Sequence, residues 1–200
     1  PTTYTMDMED ITLAEPSREG YIFAGWTWES GKGVGSDAQN TPIKEVVIPK
    51  GSIGNKVFTA NWIQKDYTIT SDKGTNGVVF DSKLEYVYIA DSITVTITNA
   101  GNWTVNLQVP TSDANNSAFV LDGYSNAVIE PGETATFTIS TKEKLDVGTY
   151  TEIITVETIE GTSVNIPVSF TVTGDYNAPT GSITIKDNKW TEFLNSITFG

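Results

Sequence analysis

Two tryptophans one residue apart, and a few acidic clusters, are the side chains here whose types and spacing could do chemistry. Trp26 and Trp28 stand at i and i+2, so on a strand they share a face with Ile22 and Ala24. Such a face could stack on sugar rings, or it could fill a core. Because it is mostly apolar, core packing is the favoured reading for Trp26. Trp28 runs into the loop Glu29-Ser30-Gly31-Lys32-Gly33. It is therefore expected to be partly exposed, which makes it the candidate ligand contact. Trp62 is expected in a core, and Tyr86 with Tyr88 forms another same-face pair expected to pack across strands.

The carboxylates suggest less. Asp7, Glu9 and Asp10 are grouped as calcium ligands sometimes are, but they lack the glycine-bearing loop of such a site. A solvated acidic turn is expected there. Glycoside hydrolysis needs two carboxylates facing each other across a cleft, and small sandwiches with short turns offer no obvious one. Cysteine and histidine are both absent. That removes disulfides, thiol nucleophiles and thiolate metal sites, along with the usual general base and the commonest metal ligand. Serine triads and zinc hydrolases in their usual forms are excluded, while carboxylate chemistry and Ser–Lys pairs remain open. Lys83, Lys142 and Lys144 sit among polar neighbours, whereas an intramolecular isopeptide crosslink needs a buried lysine beside a buried acid. No catalytic residue, metal site or cofactor is expected.

Twelve basic residues against 25 acidic ones give a net charge of −13. A surface this negative disfavours nucleic acid and anionic membranes as partners and favours solubility. No run approaches the ~18 apolar residues that would span a bilayer, so no membrane insertion is expected in this segment. The chain begins Pro1-Thr2-Thr3 without a methionine, as an excised piece of a longer chain would.

The elements that must position these residues are strands. In Ser92–Thr98 the odd positions are apolar and the even ones polar, the pattern of a strand with one wet face. Similar alternation marks Trp103–Val109, Thr134–Ser140, and Val164–Val172 around Pro167, which suggests an edge or a bulge at the proline. Tyr150–Val156 is rich in β-branched residues, and no long window carries a helical stripe. Turn signals such as Asn99-Ala100-Gly101-Asn102, Asp122-Gly123, Pro131-Gly132 and Glu160-Gly161 separate the strands as a sandwich requires. The composition changes near residue 65 and again near 175. This divides the chain into units 1–65, 66–174 and 175–200, the last with candidate strands Gly181–Ile185 and Asn195–Phe199. The fold class is all-β, with an immunoglobulin-like β-sandwich as the main domain.

Residues 1–63 resemble the internalin-type B-repeat, or Listeria–Bacteroides repeat. The resemblance is carried by Arg18-Glu19-Gly20-Tyr21, Phe23-Ala24-Gly25-Trp26, Ile48-Pro49-Lys50-Gly51-Ser52 and the closing Phe58-Thr59-Ala60-Asn61-Trp62. It implies a β-grasp-like first unit, with an α+β version left open. The strand and glycine pair that usually open that repeat are missing here, which would leave an unpaired sheet edge and the prospect of self-association through it. Residues 66–174 resemble bacterial immunoglobulin-like surface modules through Val95-Thr96-Ile97-Thr98-Asn99, Ile129-Glu130-Pro131-Gly132-Glu133 and Leu145-Asp146-Val147-Gly148-Thr149-Tyr150. Ala178-Pro179-Thr180-Gly181 is similar to the start of a further such module. In a bacterial protein, the glycosylation patterns Asn102-Trp103-Thr104 and Asn115-Asn116-Ser117 mean little. The resemblances imply a non-catalytic spacer of a bacterial cell-surface or secreted protein, presenting binding regions that lie elsewhere. The alternative is an adhesive module that binds host protein or polysaccharide through Trp28 and the Glu29–Gln39 loop.

Overall fold

The computed structural model describes residues 3–85, 90–125 and 127–174. Tyr86, Tyr88 and the whole 175–200 unit lie outside the described residues. Strands dominate and the described residues contain no α-helix, only a single 3-10 turn at Gly74–Asn76. The protein is all-β, and the α+β version of the first unit is not realised.

The first unit contains β1 (Ile11–Thr12), β2 (Tyr21–Trp28), β3 (Gln39–Ile43), β4 (Val47–Ile48) and β5 (Thr59–Gln64). β2 lies between β3 and β5 in a three-stranded antiparallel sheet, and β1 pairs with β4. Among the described residues β5 is an edge of its sheet. The pairing Phe23↔Trp62 is followed by Gly25↔Asn61, so Ala24 is an extra residue in β2. This bulge resets the alternation of sides. Ile22 and Ala24 therefore do not share the Trp26 face as strict alternation predicts. Instead Phe23 meets Trp26 edge-on at 5.2 Å and Trp62 at 5.6 Å. Phe58 meets both Trp26, at 6.4 Å, and Trp28, at 5.5 Å. The result is a small aromatic core, and Trp62 belongs to it.

The second unit is an immunoglobulin-like sandwich. Its strands are β6 (Ile69–Ser71), β7 (Val78–Val79), β8 (Lys83–Leu84), β9 (Ser92–Asn99), β10 (Val105–Asn106), β11 (Thr111–Ser112), β12 (Phe119–Asp122), β13 (Val128–Ile129), β14 (Thr134–Thr141), β15 (Gly148–Glu157) and β16 (Ser163–Thr173). One sheet has the order β12-β14-β9-β6, and the other has the order β11-β15-β16-β7 with β8 also on β16. Alternate residues from both sheets meet in one core: Val95 and Ile97, Phe137 and Ile139, Ile154 and Val156, Ile166 and Phe170 are all essentially inaccessible. Burying side chains of this kind stabilises by about 1.5–3 kcal/mol each.

Two local expectations are corrected. Trp103–Val109 is not one long strand, because Leu107 N–H donates to Ala127 O while Gln108 N–H reaches Glu157 O on the opposite side. The segment passes from one partner to the next after two paired residues. Pro167 is neither in an edge strand nor at a bulge, since β16 runs between β15 and β7 and pairs Pro167 with Ile153 in unbroken register. The N–H and C=O of Ile153 both bond to Asp113, on the side away from β16. The proline nitrogen therefore faces the other side, one residue before the β7 ladder begins at Val78↔Val168. Proline has no donor to lose there.

Candidate functional site

Trp28 is expected to be partly exposed, and the structure corrects this: only 9% of it is exposed. The loop that follows it folds back over the indole. Gly31 N–H donates to Ser36 O, Ser30 Oγ to the same oxygen, and Val57 N–H to Lys32 O. Trp28 Nε1 donates to Asp37 O at 3.1 Å. Gly33 lies flat on the ring, where a Cβ would sit 1.9 Å from Trp28 Cδ1. Only glycine fits there, and the indole faces its own loop. A shallow hollow of about 310 Å³ beside it is lined by Glu29, Lys32, Gln39, Asn40 and Asn61 among others. The amide of Asn61 is committed to Gly25 O, Thr27 Oγ1 and Thr59 O, and that of Gln39 to Thr41 O. Trp26 is half-buried, and its Nε1 is buried without a partner among the described residues.

The acidic turn does not gather into a metal site. Glu9 pairs with Lys50 Nζ at 2.7 Å, and Asp10 Oδ1 accepts from Lys50 N–H at 2.8 Å. Among the described residues, no three acidic side chains converge as ligands. Lys83 pairs with Asp91 at 2.8 Å, with both side chains substantially exposed. Among the described residues no helix is long and apolar enough to cross a membrane. A groove of about 930 Å³ runs between the N-terminal segment and residues 52–58. Exposed Met6, Ile53 and Val57 flank it, and Tyr4 Oη reaches across to Gly54 O at 2.5 Å.

Polar contacts gather at the junction between the two units, which the sequence presents only as a linker and a turn. Lys65 belongs to both sides. Its N–H donates to Gly20 O in the first unit, and its Nζ lies 3.8 Å over the Trp103 ring in the sandwich. Asn102 makes three bonds to the linker: its N–H donates to Asp66 O at 3.0 Å, its Oδ1 accepts from Asp66 N–H at 2.8 Å, and its Nδ2 donates to Gln64 O at 3.0 Å. The linker passes so close to Gly101 that a Cβ there would sit 2.1 Å from Asp66 O. Buried Asn99 shapes the supporting turn, bonding Gly101 N–H, Trp103 O and Ile129 O. The side-chain hydroxyl of Thr68, then its amide, hold the Asp66 carboxyl below its usual range.

One further group was missed. Glu152 lies on the inner face of β15 at 8% exposure. Its carboxylate accepts from Ser112 Oγ at 2.5 Å, Ser117 Oγ at 2.6 Å and Ala118 N–H at 2.6 Å. This pins residues 112–118 to the sandwich and commits the hydroxyl of the Asn115-Asn116-Ser117 pattern. All three partners belong to this chain, so the arrangement is structural.

No family model matches this chain, and no curated protein matches it. Solved structures are similar at a distance. The ASH/PapD-like domain of human CEP192 is 12% identical, with a TM-score of 0.44, over 55% of this chain and 87% of that one. The VesB protease of Vibrio cholerae is 11% identical, with a TM-score of 0.38, over 52% of this chain and 31% of its own. The surface layer protein SbsC, domains 4-9, is 19% identical, with a TM-score of 0.38, over 85% of this chain and 24% of its own. This chain thus spans a third or less of the protease and surface-layer chains. At such values the likenesses say nothing of activity, and the fold rests on the strand order.

Proposed function

We propose that this chain is a non-catalytic spacing segment of a bacterial cell-surface protein, secreted as part of a longer chain. In this reading an internalin-type B-repeat and a bacterial immunoglobulin-like module hold binding regions located elsewhere at a set distance and angle. The junction carries the proposal. A linker meant to swivel needs free backbone, whereas Gln64, Lys65 and Asp66 are bonded on both sides. The lack of histidine and cysteine fits a part without chemistry, and the charge of −13 favours solubility.

Small-angle scattering and amide NMR relaxation test this on the intact chain. One elongated particle is expected, with a single rotational correlation time for both units. Two independently tumbling units would refute the reading.

A second reading, adhesion to host protein or polysaccharide, draws support from the groove flanked by Met6, Ile53 and Val57 rather than from Trp28. The β5 edge, unpaired among the described residues and carrying half-exposed Ile63, favours pairing with a second copy as the mode of self-association.

A further inference from the structure

The chain enters and leaves the sandwich at opposite ends. Thr162 Oγ1 donates to Tyr67 O at 2.7 Å, which puts the incoming chain beside the start of β16. β16 then runs eleven residues to Thr173, roughly 35 Å at about 3.3 Å per residue. Between these points β7 and β8 lie parallel to β16, in the registers Val78↔Val168 and Val79↔Ser169, then Lys83↔Val172 and Leu84↔Thr173. Phe80 N–H donates to Ser169 O and Glu85 N–H to Thr173 O, both at 2.9 Å. Thr173 Oγ1 adds a bond to Lys83 O at 3.2 Å, and the Lys83–Asp91 pair ties the same segment to the residue before β9.

Geometry decides how such ladders fail. When parallel strands are drawn apart from their far ends, the bonds running between them are loaded sideways and together. A strand peeled from one end gives way one pair at a time. In this sandwich, tension along the chain pulls β7 and β8 towards the junction and β16 away from it. We infer that β7 and β8 form a shear lock on β16 that lets the sandwich resist tension along the chain, an inference that rests on the spacing reading above. The lock extends that reading: the segment keeps its length under load as well as setting it.

The chain has no cysteine, so introduced cysteines give unique tether points for single-molecule force spectroscopy. Held by its two ends, the intact chain should unfold its sandwich at a markedly higher force than when it is held at its first residue and at Ser163→Cys. In the second geometry β16 is peeled from its start. Glu85→Pro removes the Glu85 N–H donor. Its sandwich should unfold about tenfold faster under a fixed end-to-end load, with little change when peeled. Equal forces in the two geometries would overturn the lock, as would a Glu85→Pro protein no weaker than the native one end to end. The comparison of geometries needs no change in the lock, so it decides the matter even if Glu85→Pro fails to fold. Independent tumbling of the two units would refute the spacing reading while leaving these forces unchanged.

Discussion

Asn102→Ala is the sharpest test of the junction. The substitution removes the bonds from Asp66 N–H to Oδ1 and from Nδ2 to Gln64 O. It keeps the backbone bond from Asn102 N–H to Asp66 O and the stacking of Lys65 on Trp103. Each lost bond is worth about 1 kcal/mol net. Together they shift the balance between docked and undocked units by about 30-fold. The surviving cation–π contact contributes only about 0.5–1 kcal/mol at so exposed a ring, so it does not make up the loss. Amide relaxation should then give separate correlation times for the two units, and scattering should report a broader distribution of lengths. The melting of the sandwich should barely change, because Val105, Ile129 and Phe137 stay packed in its core. An Asn102→Ala protein that still tumbles as one rigid body would refute the argument that these bonds set the orientation.

Gly33→Ala should destabilise the first unit by about 1–3 kcal/mol and red-shift its tryptophan emission, because a methyl 1.9 Å from Trp28 Cδ1 forces loop and indole apart. Unchanged emission would contradict the burial of Trp28. Glu152→Ala takes the acceptor from the Ser112 hydroxyl and the Ala118 amide, while Ser117 Oγ keeps Phe119 O as an acceptor; with bonds to a charged group at about 1.5–3 kcal/mol each, a urea titration should show a loss of at least about 3 kcal/mol, and a loss under about 1 would count against the pinning role. Acid should weaken the sandwich. Partial burial raises the Asp72 carboxyl, but the Lys73 ammonium and the Thr96 amide outweigh that and leave it below its usual value; the Asn106 amides do the same for Glu160 against its burial. Groups depressed on folding lend stability that is complete above their unfolded values near 4 and is lost as pH falls through the folded ones. Denaturation midpoints should therefore hold steady from about pH 8 to pH 5 and fall below about pH 4. A decline already evident at pH 6 would mean that other groups govern.

Local periodicity made the sandwich legible. Ser92–Asn99, Thr134–Thr141 and Ser163–Thr173 show in the structure the inward and outward faces that the alternation in Ser92–Thr98, Thr134–Ser140 and Val164–Val172 predicts. Each misreading has its own physical cause. Side-chain parity along β2 depends on one extra residue, Ala24, whose effect appears only against the partner strand β5. The burial of Trp28 depends on whether the next ten residues fold over it or away from it, and Gly33 is the sole local hint. Glu152 sits at a position where alternation alone asks for an apolar residue. What makes a carboxylate tolerable there is a pair of serines 40 and 35 residues away. The junction joins residues 36 and 38 apart, and nothing in the composition of either segment announces the other. The one local trace is negative: Gln64-Lys65-Asp66 has no Gly/Ser run of the kind that makes a linker free. Strands are therefore easier to find than the contacts between units, because a strand is written in neighbours and a junction in distant pairs. For a chain whose proposed role is to set an angle and hold a length, those distant pairs at Asn102, Lys65 and Glu85 are where function is to be tested.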